Sequence, residues 1–301
     1  MVQKEHSDSR REWLPRLLLV VSTALWGASF IFTKGLFLSE PHITPVVIAT
    51  LRLCIASAVF IPLLALTHRL QPIHKGDFKV FLLLSFCEPF LYSILETSGV
   101  GLVPASLASI IIATIPLFTP FGMALAYKER LRWIVVVGVL LSLVGIGVMM
   151  LGPDLTISAN PRGVLYLVLA VIVAVCYTLV LVKVLKRYHP VTVTAYQNLF
   201  SIIYFIPLML ILNHDVLPLL SYSLSMWGRL AFLGVLCSTL AYVFYNYGIR
   251  AAGATAASAY TNLIPVFSLF LAVGIGQESL SVFKVIGIVI VLIGLFLAQR
   301  R

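Results

Sequence analysis

Apolar runs of bilayer-spanning length follow one another along this chain almost without pause. A hydrocarbon core of about 30 Å takes roughly 20 helical residues. Ten such runs lie near 14–37, 43–66, 78–97, 104–126, 133–151, 162–183, 191–212, 230–248, 254–276 and 282–299. A membrane β-barrel would alternate over ten-residue segments, so the backbone must satisfy itself in lipid through helices. With 60% apolar and 11% charged residues, little chain remains to build anything outside the bilayer. The expected fold is an all-α membrane protein of ten transmembrane helices.

The formal charge of +10 raises nucleic acid as a partner, but the basic residues are not arranged for it. Most of them fall on one side of the expected bilayer, in segments around Arg10 and Arg11, Lys75 and Lys79, Lys128 and Arg130, Lys183 to Arg187, and Arg300 and Arg301. That asymmetry puts both termini in the cytoplasm, with residues 1–13 as a short tail. The first run is too long for a cleaved leader and lacks a small-residue exit, so it reads as a retained span. The four cysteines, Cys54, Cys87, Cys176 and Cys237, lie inside spans without metal-ligand spacing and read as small apolar residues.

Laid on itself at a shift of 149 residues, the chain matches Gly99 to Gly248, Ala105 to Ala254, Ser109 to Ser258, Pro116 to Pro265, Glu129 to Glu278, Gly138 to Gly287 and Gly145 to Gly294. Lys34 falls on Lys183 and Pro41 on Pro190. The repeats are 14–151 and 162–299. Each holds five spans, an odd number, so the second copy must enter the membrane in the opposite sense. Inverted repeats are a plan of secondary transporters, with the site near the midplane between halves that open in turn.

ALWGASFIFTK at 24–34, ATIPLFTPFGMALAYKERL at 113–131 and TNLIPVFSLFLAVGIGQESL at 261–280 resemble the first, fourth and ninth helices of EamA-type members of the drug/metabolite transporter superfamily. The resemblance covers nearly the whole chain. It implies a ten-helix carrier of small organic solutes, commonly an exporter of amino acids, metabolites or drugs in a bacterial cytoplasmic membrane.

Buried charge narrows the site. A carboxylate or guanidinium at the centre of a span costs about 2.5–3.5 kcal/mol, so it needs a partner, water or neutralisation. Arg52 and Glu88 each lie about 15 Å deep at 1.5 Å per residue, which predicts an ion pair between them beside a central cavity or, alternatively, a clamp between adjacent helices. Glu96 lies two turns further on, with Tyr92 between. Glu88 and Glu96 are read as the groups that bind a cationic or amino group in competition with protons, leaving proton coupling open. Glu96 alternatively reads as an interfacial residue in water, and Lys34 and Lys183 as snorkelling lysines.

Pro89, Pro116 and Pro265 each remove a backbone donor within a span and predict helix breaks at the site. The second half lacks counterparts of Glu88 and Arg52, so it is expected to contribute polar and aromatic groups: Gln197, Asn198, Tyr242, Tyr245, Asn246 and Tyr260. Ser109 and Asn262, on small-residue stripes, and Trp26, deep in the first helix, complete the expected wall. Gly138, Gly145, Gly287 and Gly294 read as packing positions.

The function these readings support is a secondary exporter of amino acids or other small amine-bearing or polar metabolites, working by alternating access as a monomer or homodimer. A nucleotide-sugar or organic-phosphate antiporter is the alternative, although such ligands call for several basic groups. An intramembrane enzyme ranks lower, because the six histidines are scattered over termini and loops; no catalytic residue, metal site or cofactor is expected.

Overall fold

In a computed structural model the chain is described over residues 2–40, 42–68, 70–127, 133–149, 159–212, 222–253, 257–258, 260–278 and 281–299, and these residues form helices without strands. Pro41, Arg69, Lys128, Glu129, Arg130, His214, Ala254, Leu280, Arg300 and Arg301 lie outside the described residues. In chain order the helices are α1 (Val2–Ser39), α2 (Pro45–Leu66), α3 (Lys75–Leu102), α4 (Ala105–Ala126), α5 (Trp133–Met149), α6 (Pro161–Leu185), α7 (Pro190–Leu212), α8 (Leu224–Ala252), α9 (Tyr260–Gly274) and α10 (Val282–Gln299). Among the described residues, seven are long and apolar enough to cross a membrane: the Trp13–Ser39 part of α1, α2, α3, α4, α6, α7 and α8. α5, α9 and α10 are shorter apolar helices.

Local chemistry sets several boundaries. Thr44 caps α2 by accepting the Val47 amide at 3.3 Å, and Pro45 follows as the first helical residue, where its missing N–H costs nothing. Asn160 and Pro161 open α6 in the same way. Ser223 caps α8 through the Met226 amide. α8 therefore begins before the apolar run does, because Ser225 and Arg229 in its first two turns dilute the hydropathy.

Two helices are irregular at equivalent places. α3 is kinked within Phe86–Leu91, where two helical segments meet at Glu88, which is extended (φ −141°, ψ 122°), the conformation that a following proline favours. α8 has a π-helical stretch at Phe232–Leu240, so the shift of 149 lays the kinked segment within it. The proline-marked breaks also form. α4 is interrupted at Ala113 and Thr114, with Pro116 in the first turn of the continuing helix Ile115–Tyr127. α9 begins as a 3₁₀ turn, Tyr260–Leu263, with Pro265 in the first turn of Ile264–Gly274.

α5 and α10 pack backbone to backbone. A Cβ added at Gly145 would lie 2.7 Å from the Gly287 carbonyl oxygen, and one at Gly294 would lie 2.6 Å from that of Gly138. The pairing of 145 with 287 and of 138 with 294 means that these two helices, which correspond under the repeat, run antiparallel. Other contacts mirror each other as well: Gly99 of α3 meets Leu167 of α6, and Gly248 of α8 meets Leu19 of α1. Leu140, Val144, Ile203, Leu210, Ile286 and Phe296 are exposed, apolar side chains suited to contact with acyl chains.

Candidate functional site

A cavity of about 60 Å³, room for a few water-sized molecules, lies where α1, α2, α3, α4, α6, α8 and α9 converge. Its polar wall is made by Arg52 of α2 and by Glu88, Tyr92 and Glu96 of α3. Its aromatic wall is made by Trp26, Tyr177, Tyr242 and Tyr245. The helix breaks of α4 and α9 supply Ile112 and Ile115 on one side and Thr261 and Ile264 on the other. Four lining pairs are related by the shift of 149: Ile112 with Thr261, Ile115 with Ile264, Ser29 with Thr178, and Glu96 with Tyr245.

The charges pair differently from the expectation drawn from depth. Arg52 Nη1 lies 3.9 Å from Glu96 Oε2, and its Nε donates to Ser238 Oγ at 2.8 Å. Glu88 accepts a hydrogen bond from the Tyr242 hydroxyl instead. A guanidinium on its long stem spans a helical turn, so equal Cα depth does not choose its partner. Glu96 also accepts from the Tyr92 hydroxyl at 3.1 Å. Glu96 is thus held inside rather than left in interfacial water; its side chain is 12% exposed and that of Arg52 is 6% exposed.

The irregular part of α8 is tied into the same wall. The Trp26 indole N–H donates to the Cys237 carbonyl at 3.2 Å, and Asn198 Nδ2 donates to the Ser238 carbonyl at 3.0 Å. A π-helical stretch takes carbonyls out of the regular ladder, and side chains from α1 and α7 meet these two. α2 comes in so close that the position of Gly234 is occupied up to the Arg52 carbonyl, leaving no space for a side chain. Trp26 packs against the rings of Tyr242 and Tyr245, with centroids at 5.0 and 4.9 Å.

Of the residues singled out in the sequence, the structure brings Trp26, Arg52, Glu88, Tyr92, Glu96, Tyr242 and Tyr245 to the cavity. It sets six others back from it. Gln197 stands behind the wall, accepting from the Tyr177 hydroxyl at 3.1 Å, and Asn198 braces α8. Asn246 donates to Thr194 Oγ1 at 3.1 Å. Ser109 bonds back to the Ser106 carbonyl within α4, and Tyr260 packs in the cluster around Leu19 and Tyr177. Asn262 is displaced by the 3₁₀ turn, whose three-residue period presents Thr261 to the cavity where a fourfold α-helical stripe would present its neighbour.

Tyr177, Thr178 and Ser29 line the cavity without having stood out. A signal for two of them was present, since Ser29 and Thr178 coincide under the repeat shift.

A second polar cluster lies at one end of the bundle. Glu278 accepts from the Ser106 amide at 3.0 Å and from the Ser106 hydroxyl, and pairs with Lys284 Nζ at 3.0 Å. Lys34 donates to the carbonyls of Val100, Gly101 and Val103 at 3.0–3.2 Å. Glu278 thereby satisfies one amide donor at the start of α4, and Lys34 satisfies carbonyls at the end of α3. Lys34 makes fixed contacts here rather than snorkelling freely.

Comparison with known proteins adds the following. A model of the EamA-like transporter family matches residues 13–151 and again residues 161–299. An uncharacterized transporter of Archaeoglobus fulgidus is 26% identical over 291 residues, spanning 97% of this chain and 99% of the relative. An uncharacterized transporter of Synechocystis is 28% identical over 303 residues, spanning 95% and 89%. The uncharacterized inner membrane transporter YedA of Escherichia coli is 28% identical over 266 residues, spanning 85% and 81%. A solved crystal structure superposes with a TM-score of 0.67 at 19% identity, covering 94% of this chain and 96% of that one, a likeness of fold.

Proposed function

Because the chain belongs to the EamA-like transporter family and is an integral membrane protein, we propose that it is a secondary carrier exporting amino acids or other small amine-bearing or polar metabolites by alternating access. Its ten helices form two inverted five-span halves, 14–151 and 162–299, behind a tail of residues 1–13, with both termini in the cytoplasm of a bacterial cell. The antiparallel packing of α5 on α10 supports the inversion, as do the mirrored contacts of Gly99 and Gly248. The name of the relative YedA supports placement in the inner membrane.

The observation that carries the substrate class is the cavity wall: among the described residues, two carboxyls and one guanidinium stand among six aromatic side chains, Trp26, Phe30, Tyr92, Tyr177, Tyr242 and Tyr245. Such a wall suits an ammonium group, which ring faces and carboxylates both attract. Polyphosphates would need several cations, and here the single guanidinium is partly neutralised by Glu96. Alternating access requires the walls of this cavity of about 60 Å³ to move.

The test is purified protein in liposomes, offered a mixed metabolite pool with and without a pH gradient. Saturable uptake and exchange of amine-bearing solutes, enhanced by the gradient, is expected; preference for polyphosphates would replace this reading with the antiporter.

A further inference from the structure

The two cavity carboxyls are not equivalent. Glu96 has Arg52 at 3.9 Å and the Tyr92 hydroxyl at 3.1 Å. Glu88 is 2% exposed and accepts from the Tyr242 hydroxyl, and no basic group among the described residues lies within ion-pair distance of it. The titratable and charged groups around Glu88 are Tyr242 and Tyr245 from α8, Tyr177 from α6 and Arg52 from α2. α3 itself adds Tyr92, Glu96 and Cys87. α7 presents Tyr204 against the rings of Phe86 and Phe90, and among the described residues α4 and α9 present no acid or base to the cavity. Among the described residues Arg52 is thus the single cation of the cavity wall, and it is engaged with Glu96.

A buried carboxylate without a countercharge costs several kcal/mol, so Glu88 has two low-energy states: protonated, or paired with a cation from outside the protein. We propose that Glu88 alone is the exchanging carboxyl, holding a proton and a monovalent organic cation in turn, while Glu96 stays an anion fixed by Arg52. The inference rests on the carrier reading above and adds its stoichiometry. Arg52 and Glu96 together contribute no net charge, so the cavity is neutral with Glu88 protonated and neutral again when Glu88 binds a monovalent cation. Only the empty, deprotonated state leaves one uncompensated charge in low dielectric, and that state is the one that cannot close. One proton therefore enters for each cation that leaves, without net charge movement. The proton leaves Glu88 to water on the side to which the cavity is open.

Infrared difference spectroscopy of the intact protein tests the division without any substrate. At neutral pH the wild type is expected to show one protonated-carboxyl C=O band that titrates, to keep it in Glu96→Gln and to lose it in Glu88→Gln. Should Glu88→Gln fail to fold, Glu88→Asp keeps the acid on a shorter stem and displaces the same band. Arg52→Gln is expected to add a second band, because Glu96 has lost its cation, and Arg52→Lys to restore a single one. Loss of the band in Glu96→Gln instead, or two bands in the wild type, overturns the division.

The second arm adds tetramethylammonium or propylammonium to weakly buffered protein containing a pH indicator. One proton released per cation bound, and none in Glu88→Gln, is expected. If the bands assign as stated but neither cation releases a proton, the amine reading of the site fails while the division between the two acids stands.

Discussion

Two acidic clusters in the same bundle are built in opposite ways. At the end of the bundle Glu278 is fully engaged, with the amide and hydroxyl of Ser106 and the Lys284 ammonium at hydrogen-bond distance, and its side chain is 9% exposed. In the central cavity the one ion pair is long, at 3.9 Å, and Glu88 has a phenol for a partner where Glu278 has a cation. Glu278 is what a structural carboxyl looks like in this protein: it caps a helix and its charge is balanced. Glu88 keeps open the valence that a ligand or a proton would fill, while Glu96 is held by Arg52 and Tyr92. Low dielectric magnifies both situations, since it strengthens a matched pair and penalises an unmatched one.

That contrast can be broken by mutation. Arg52→Gln is expected to have the largest effect on the fold, about 3 kcal/mol lost in thermal unfolding, because it strands Glu96 in the interior. Arg52→Lys should recover much of it; an unchanged melting temperature in Arg52→Gln would mean that water already balances Glu96. Glu278→Gln is expected to cost about 1–3 kcal/mol through the charged hydrogen bonds to Ser106, while the pH dependence of exchange keeps its wild-type form. A flattened pH profile in this variant would erase the distinction between the clusters. Tyr242→Phe keeps the ring against Trp26 and removes one hydroxyl, so the expected loss is about 1 kcal/mol, roughly fivefold in apparent affinity for an amine. No change in affinity would show that the contact with Glu88 contributes nothing to binding.

The cavity acids were legible in the sequence because charge inside an apolar run has few explanations. Seven of the expected spans were legible for the same physical reason, and the helices long and apolar enough to cross a membrane among the described residues differ from them mainly at ends. α3 runs on to Leu102, because Gly99 and Gly101 are tolerated inside it and Pro104 stops it. Partner choice was less legible. Depth along a straight helix pointed Arg52 at Glu88, but the extended backbone at Glu88 and the reach of the guanidinium deliver it to Glu96. Helical faces were lost wherever the helix was not regular: the 3₁₀ turn at Tyr260–Leu263 exchanges Thr261 for Asn262. Asn198 and Gln197, polar and mid-span, looked like ligand groups and instead bond to Ser238 and Tyr177, one layer back. A polar side chain in a span is thus an indication of a site nearby more than of membership in its lining.

Alternating access itself is tested most directly at Thr178, which lines the cavity from α6 and coincides with Ser29 under the repeat. In a background with Cys54, Cys87, Cys176 and Cys237 replaced, Thr178→Cys would be challenged with a membrane-impermeant thiol reagent on right-side-out and inside-out vesicles. Labelling from both sides, slowed by a transported amine, is the expected result; labelling from one side alone under every condition would contradict a carrier that opens its centre to each face in turn.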